Sequence, residues 1–256
     1  MSLIPSQPGA EDPFFIIGAQ RSGTTFLYEL LDEHPDVAMA KPKRPEPKWF
    51  LDPQKAVQSG QAWNESLFQG ASARLRGEKG TSYLEHPEVA DAILRVFPGA
   101  RFIAILREPS ARAVSNYRFS VENGSESLPI GEALTPEAEK RHYDPKKFSV
   151  SPYSYLRRGL YADYLAPWTD RVTSSRLHVM VLEELLAGRG AFDQVCRFLR
   201  IDPFEPKGMS RIVNAAVEPI PEMSEGLKAN LREYFREPNS RLKQFLGRPL
   251  ELWGSL

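Results

Sequence analysis

Apolar positions along the chain follow two patterns, short continuous runs and longer stretches with helical spacing. A continuous run predicts a strand that is covered on both faces, as in a parallel sheet. The clearest strands are Phe14 to Gly18, Arg101 to Leu106 and Leu177 to Leu182, with weaker ones at Val37 to Ala40 and Gly77 to Lys79. Helical spacing predicts helices at about Gly23 to Leu31, Pro87 to Val96, from Pro109 onwards, Tyr155 to Trp168, Ala191 to Leu199 and Ser224 to Phe235. Because strands alternate with helices, we predict an α/β fold of three layers, a central and mostly parallel sheet flanked by helices.

The domain organisation predicted from this pattern is a single domain over residues 1–256. A chain of 256 residues with 41% hydrophobic content can bury one sizeable core. Residues 1–12 are polar and contain proline, so we expect a flexible N-terminus. Residues 122–151 mix charge, proline and glycine with little periodicity, which predicts an irregular surface insertion.

Charge and composition exclude several classes of function. Lys plus Arg and Asp plus Glu both number 33, so no overall field favours nucleic acid or a membrane surface. The single cysteine, Cys196, excludes an internal disulfide and lies on an apolar helix face, while the histidines lack metal-ligand spacing. We find no basic leader and no apolar run near the roughly 20 residues that cross a bilayer. We therefore expect a cytoplasmic protein with no metal, no membrane span and no nucleic-acid partner; its oligomeric state is unknown.

A first candidate site for phosphate is the segment GAQRSGTT, residues 18–25, between an apolar strand and a helix. Such a turn directs backbone N–H groups at one point, where the helix dipole also favours an anion. A turn of small residues after a strand is also common without a ligand, so the segment alone leaves both interpretations open. The candidate phosphate ligands are Arg21, Ser22, Gly23, Thr24 and Thr25.

This turn is P-loop-like, but it differs from the loop of nucleotide hydrolases. That loop reads Gly-x4-Gly-Lys-Ser/Thr, whereas Thr24 stands at the lysine position here. The strand Arg101 to Leu106 is followed by Arg107 and not by an aspartate that could hold Mg²⁺. The sequence therefore favours a phosphate-bearing substrate held by cations and N–H groups without a metal.

A second candidate phosphate site lies where this later strand enters the next helix. Arg107 leaves the strand end, and Ser115 lies about two helical turns into the helix. Carboxyl ends of parallel strands meet at one sheet edge, so both side chains can reach one phosphate beside the first loop. The alternative is that Arg107 pairs with a carboxylate and Ser115 is solvated.

Together these segments resemble the sulfotransferases that use 3′-phosphoadenosine-5′-phosphosulfate (PAPS). Arg21-Ser22-Gly23-Thr24-Thr25 is similar to their 5′-phosphosulfate loop, and Leu106-Arg107-Glu108-Pro109, Arg112-Ala113 and Ser115 are similar to their 3′-phosphate motif. GEKGTSYL (77–84) resembles the family's Glu-Lys-(Ser/Thr)-Pro-x-Tyr segment, although Gly80 and Thr81 displace its proline. RRGLYADYLAPW (157–168) and GRPLELW (247–253) resemble segments of the heparan-sulfate-type and bacterial branch. The resemblance implies PAPS as donor, adenosine 3′,5′-bisphosphate as product and a hydroxyl of a carbohydrate or small natural product as acceptor.

The resemblance also implies catalytic roles. Glu46 stands three residues before Trp49 and Phe50, like the general base of the heparan-sulfate-type enzymes. Arg21 and Lys79 would hold the transferring group during in-line displacement. The alternatives are that Glu46 is a solvated ion-pair partner and Lys79 a surface lysine. Family position makes Lys48, Tyr83, His86, Arg157, Arg158 and Tyr161 candidate acceptor contacts, with His86 as the reserve base.

One departure from the branch concerns the closure over the nucleotide. A late Lys-Gly-Arg loop usually precedes a Pro-x-Met segment, but here Asn214 to Glu218 has no cation before Pro221. Either Lys207 and Arg211 act from upstream, or the nucleotide is held by fewer charges. Two other functions stay open on the sequence, a P-loop phosphotransferase or kinase and a non-catalytic nucleotide-binding module.

Overall fold

A five-stranded parallel sheet forms the centre of the protein, whose computed structural model describes residues 12–209 and 223–253. The strand order is β2-β3-β1-β4-β5, and β1 pairs with β3 on one side and β4 on the other. Phe14 of β1 lies opposite Gly77 of β3 and Arg101 of β4. The strands are β1 (Phe14–Gly18), β2 (Val37–Met39), β3 (Leu75–Lys79), β4 (Arg101–Leu106) and β5 (Leu177–Val181).

Helices cover both faces of this sheet. Successive side chains of a strand point to opposite faces, so Phe15 joins one apolar cluster, with Trp63 and Trp168, while Phe14 joins the other, with Phe192. Both clusters are buried, which confirms the predicted three-layer α/β arrangement. The helices are α1 (Thr24–Asp32), α2 (Pro53–Ala56), α3 (Gly60–Leu67), α4 (Glu88–Val96), α5 (Pro109–Glu122), α6 (Ile130–Ala133), α7 (Tyr161–Thr169), α8 (Leu182–Ala187), α9 (Gly190–Leu199) and α10 (Glu225–Leu246), with 3-10 turns at Trp49–Leu51, Tyr83–Glu85, Ala138–Lys140, Arg157–Gly159 and Ser174–Arg176.

The predicted helix from Tyr155 to Trp168 is wrong at its start. A 3-10 turn occupies Arg157–Gly159, and α7 begins only at Tyr161. The N–H groups of Leu156 and Arg157 donate to the Glu139 carboxylate, which ends the backbone pattern that a helix would need. The physical reason is thus a long-range partner that no local pattern reveals.

The last helix is longer than predicted, since α10 continues through Pro238 to Leu246. Leu231, Phe235 and Leu242 lie buried on one helical face, which carries the apolar stripe past the proline. The short helices α2, α3, α6 and α8 were not predicted, because each has too few residues to show a period.

The predicted irregular insertion, residues 122–151, is mostly irregular but firmly attached. The wholly buried Glu126 carboxylate accepts hydrogen bonds from Arg141 (2.6 Å) and the Tyr155 hydroxyl (2.9 Å). These donors lower the pKa of Glu126 to about 2, although burial acts in the opposite direction. The ion pair therefore ties two parts of the insertion together, and the Tyr155 hydroxyl joins the insertion to the segment before α7.

The structure also describes the surroundings of Cys196 and the helices that could span a membrane. Cys196 lies in the core with Phe192 and Leu199, and burial raises the pKa of its thiol to about 11. Within the two described ranges, no helix is both long and apolar enough to cross a bilayer. The proposed flexible N-terminus lies outside the described residues except for Asp12.

Candidate active site

The turn between β1 and α1 presents backbone N–H groups at the carboxyl edge of the sheet. Gly23 stands directly before α1 with φ of 84°, a left-handed conformation that favours glycine. A Cβ atom there would lie 2.5 Å from Leu182 Cδ1. Ser22 and Thr24 are buried beside it. Only glycine thus lets α8 pack closely against the turn while the start of α1 stays directed at the cleft.

Arg21, Arg107 and Ser115 lie together at the neighbouring ends of β1 and β4. Arg21 Nε donates to Ser115 Oγ at 3.2 Å, and Arg107 Nη1 lies 3.5 Å from the Arg21 carbonyl oxygen. The guanidinium of Arg21 also stacks over the Phe119 ring, 4.8 Å from its centroid. The two predicted phosphate sites therefore meet at one edge of the sheet.

Lys79, at the end of β3, connects the phosphate loop with Glu46. Its Nζ atom lies 3.1 Å from Thr25 Oγ1 and 3.0 Å from Glu46 Oε1. The Lys79 side chain is only 3% exposed and that of Glu46 14%, so neither is the solvated surface charge that the sequence left open. Glu46 Oε2 accepts from the backbone N–H (3.0 Å) and hydroxyl (2.8 Å) of Thr81. Both carboxylate oxygens are thus fixed in position.

Glu78 holds this arrangement in place and was not among the site residues predicted from the sequence. It is fully buried and accepts from Trp49 N (3.0 Å), Trp63 Nε1 (2.6 Å) and the Tyr83 hydroxyl (2.5 Å). Burial raises the pKa of Glu78, and the three donors oppose that shift. By holding the backbone of Trp49, Glu78 fixes the segment that carries Glu46. The sequence did contain a signal for such a role, because a glutamate inside a buried strand needs hydrogen-bond partners in the core.

Two of the predicted acceptor contacts are not in a position to touch an acceptor. Tyr83 is wholly buried, and its hydroxyl donates to Glu78 and accepts from Phe50 N. Tyr161 is 1% exposed and donates to the Arg107 carbonyl oxygen at 2.8 Å; burial raises its pKa to about 12. These two assignments are corrected, because both rings pack in the core. Tyr161 instead holds the strand end that carries Arg107.

Arg157 and Arg158 point in different directions despite being neighbours. Arg158 is 3% exposed and donates to Glu85 Oε1 (2.9 Å), Asn116 Oδ1 (3.1 Å) and the Ser151 carbonyl oxygen (2.6 Å). Each of its three guanidinium nitrogens donates to a group of the protein. Arg158 therefore contributes a positive charge to the wall of a cavity and is already held by other side chains. Arg157 is exposed on the 3-10 turn.

Lys48 and His86 meet at the insertion. Lys48 Nζ donates to Ser149 Oγ at 3.1 Å, and His86 Nε2 lies 3.3 Å from the Ser149 carbonyl oxygen. His86 Nδ1 is 3.1 Å from Glu88 Oε1. Both side chains therefore stand at one border of the cleft, and the His86 ring contacts Glu88 and Ser149.

A cavity of about 360 Å³ lies beside these groups and is bounded by Gln20, Lys48, Ser82, Phe119 and Ser149, among others. A larger hollow of about 720 Å³ lies next to β2, and none of the predicted site residues borders it. We therefore assign the substrate cleft to the smaller cavity and the adjoining phosphate loop.

The late segment that would close over the nucleotide is described only at its beginning. Arg211 and residues 214–222 lie outside the described residues. The backbone N–H of Lys207 donates to the Glu33 carboxylate at 2.6 Å, at the C-terminal end of α1, which is opposite to the end that carries the phosphate loop. Within the described part of the chain, no group of three or more His, Cys, Asp or Glu side chains is arranged to hold a metal ion.

Comparisons with known proteins agree with this geometry. A family model described as the sulfotransferase family matches residues 13–87, which contain the phosphate loop, Glu46 and Lys79. The crystal structure of a sulfotransferase from Alicyclobacillus acidocaldarius superimposes with a TM-score of 0.77 at 25% identity, covering 95% of this chain and 99% of that one. The human heparan sulfate glucosamine 3-O-sulfotransferase 6 is 26% identical over 93% of this chain and 72% of its own length.

A mouse bifunctional heparan sulfate N-deacetylase/N-sulfotransferase 4 is also 26% identical, over 94% of this chain. The chain spans only 31% of the length of that relative, so the match concerns one part of a larger protein.

Proposed function

We propose that this chain, which is similar to sulfotransferases, transfers the sulfonate group of PAPS to an acceptor hydroxyl and releases adenosine 3′,5′-bisphosphate. One observation carries the proposal: Lys79 Nζ contacts both Thr25 of the phosphate loop and the Glu46 carboxylate, at 3.1 Å and 3.0 Å. A single buried cation thus stands between a site for a leaving phosphate and a base. The name of the 3-O-sulfotransferase relative favours a carbohydrate hydroxyl, with a small natural product as the other acceptor class.

The residues of the chain fit a doubly phosphorylated adenosine. Arg107 and Ser115 would hold its 3′-phosphate. Arg107 directly follows β4, and Ser115 lies in the second turn of α5, the next helix. The N–H groups at Gly23, Thr24 and Thr25 would hold the 5′-phosphate at the positive end of α1. Arg21 lies between the two sites, because its Nε already reaches Ser115. Planar guanidinium groups suit such bidentate contacts with phosphate.

In the transfer, the acceptor oxygen forms a bond to sulfur while the bond from sulfur to the 5′-phosphate oxygen breaks. Glu46 takes the proton of the acceptor hydroxyl, and Thr81 orients the carboxylate through two hydrogen bonds. Lys79 and Arg21 offset the negative charge that grows on the leaving phosphate oxygen. Lys79 can do so without reorganisation, since it is already desolvated and fixed.

A phosphotransferase or kinase, the main alternative from the sequence, has no specific support. The strand β4 is followed by Arg107, and Thr24 stands where a nucleotide hydrolase carries its loop lysine. A non-catalytic module would leave the ordered contact between Glu46 and Lys79 without a use.

The proposal is tested with sulfur-labelled PAPS and a panel of hydroxyl-bearing acceptors in buffer with EDTA, followed by mass identification of the product. We expect a labelled product in the wild type and a rate lower by about two orders of magnitude or more in Arg21→Ala. Arg95→Ala removes an exposed arginine of α4 and is the matched control. Phosphoryl transfer from ATP with Mg²⁺, and none of the label in a product, would contradict the proposal.

A further inference from the structure

The cavity of about 360 Å³ has walls from several separate parts of the chain, four of which matter here. Gln20 belongs to the turn after β1, Ser82 follows β3, and Phe119 lies on α5. The fourth wall is the segment 147–152, which contributes Lys147 and Ser149 from the end of the insertion. A segment that looks irregular in the sequence therefore encloses this space.

The cavity adjoins the residues that we assign to the transfer. Gln20 precedes Arg21 in the chain, and the Phe119 ring stacks on the Arg21 guanidinium. Ser82 follows Thr81, whose N–H and hydroxyl hold Glu46. Gln20 Nε2 and Ser82 Oγ are themselves 3.2 Å apart. A molecule in the cavity thus has the base on one side and Arg21 on another.

The charges that border the cavity do not balance. Its lining includes Lys48, Lys147 and Arg158 but no carboxylate. Arg158 is paired with Glu85 at 2.9 Å, and Glu46, the nearest carboxylate in sequence to Lys48, is paired with Lys79 at 3.0 Å. Among the described residues, the hydrogen-bond partner of the Lys48 ammonium is the uncharged Ser149 hydroxyl, at 3.1 Å.

Lys48 is therefore a partly buried cation with no carboxylate at ion-pair distance among the described residues. Burial lowers its pKa, and the carboxylates of Glu46 and Glu85 only partly oppose this effect. Taking an ammonium group out of water is unfavourable unless an anion compensates it. The missing anion is most simply supplied by what enters the cavity.

We infer that the acceptor is a small molecule that carries an anionic group, a carboxylate or a sulfate, which binds between Lys48 and Lys147 while its hydroxyl faces Glu46. The inference rests on the proposed sulfonate transfer and adds the class of acceptor. The volume of 360 Å³ lies at the low end of the range of about 300–1,000 Å³ for small-molecule sites, which favours one ring or a short chain. Ser149 borders the same cavity and accepts from Lys48 Nζ through its hydroxyl at 3.1 Å, which positions the ammonium at this subsite.

The test uses two matched pairs of acceptors, 4-hydroxybenzoate with 4-hydroxybenzamide and glucuronic acid with glucose. Binding of each compound to the protein saturated with adenosine 3′,5′-bisphosphate is measured by calorimetry, and turnover is measured with labelled PAPS. We expect the acid of at least one pair to bind about tenfold more tightly than its neutral partner, as for one charge-assisted contact. In Lys48→Gln this ratio should fall close to one.

Lys43→Gln is the matched control, because Lys43 is an exposed cation of the same segment whose Nζ lies 2.6 Å from Glu29. It should keep the wild-type ratio. Equal binding of acids and neutral partners in the wild type, or an acid preference that survives Lys48→Gln, would overturn the inference. Labelled product from neutral acceptors alone would overturn it while leaving the proposed function in place, whereas failure to bind adenosine 3′,5′-bisphosphate would count against the proposed function itself.

Discussion

Replacing Glu46 by glutamine tests the proposed base with little change in shape. The amide oxygen can still accept from Lys79 Nζ, but the amide nitrogen would then face the N–H and hydroxyl of Thr81, which now bond the carboxylate at 3.0 and 2.8 Å. One donor left unsatisfied costs about 1–3 kcal/mol. A domain is stable by about 5–15 kcal/mol, so the variant should stay folded. Loss of a positioned base should lower kcat by about 10²- to 10⁴-fold.

The assay compares kcat with labelled PAPS, the affinity for adenosine 3′,5′-bisphosphate and the melting temperature. Glu29→Gln is the control, since Glu29 is an exposed glutamate paired with Lys43. Glu46→Gln should bind the nucleotide like the wild type and transfer slowly, and Glu29→Gln should do both normally. A kcat for Glu46→Gln within tenfold of the wild type would refute the role of Glu46. If His86→Asn were then the slow variant, His86 would be the base.

Three further predictions concern the loop, the core and the insertion. Gly23→Ala should lose nucleotide binding and lower the melting temperature, because the new Cβ would lie 2.5 Å from Leu182 Cδ1 at a φ of 84°; calorimetry and thermal unfolding measure both effects. Burial lowers the pKa of His178 to about 4, so the neutral ring stabilises the fold above pH 6.5 and this stability is lost as the pH falls towards 4. Urea unfolding from pH 7 to pH 4 should show a loss of up to about 3 kcal/mol that His178→Phe removes, and an unchanged slope in that variant would contradict the assignment. Glu126→Gln should lower the free energy of unfolding by about 3–5 kcal/mol and expose residues 122–151 to limited proteolysis, because Arg141 loses its buried partner; resistance equal to that of the wild type would argue against this role.

The donor side of the site was the part most accessible from sequence. The signal is a continuous apolar strand followed by glycine and hydroxyl residues and then by helical spacing. This order determines both the local structure and the direction of the N–H groups. β1 and β4 carry this signal, and their adjacency follows from the usual behaviour of parallel sheets. For this reason the sequence pattern alone predicts that Arg21, Arg107 and Ser115 lie together, as they do in the structure.

The acceptor side was less accessible, since its geometry depends on contacts between distant segments. Whether Tyr83 faces the cleft is decided by Glu78, and whether Arg158 is free is decided by Glu85 and Asn116. Neither partner is implied by a local pattern. The enclosure of the cavity by Ser149 is of the same kind, because it depends on how the insertion folds back. The single-domain organisation and the cytoplasmic location stay predictions.

The central claim is that Arg107 and the phosphate loop hold the two phosphates of one nucleotide. Calorimetry in EDTA can compare adenosine 3′,5′-bisphosphate with adenosine 5′-phosphate, which lacks only the 3′-phosphate. The account predicts that the wild type and Arg95→Ala bind the bisphosphate roughly 10- to 100-fold more tightly than the monophosphate, and that Arg107→Ala loses this preference. No metal-free binding of the bisphosphate, or an undiminished preference in Arg107→Ala, would contradict it.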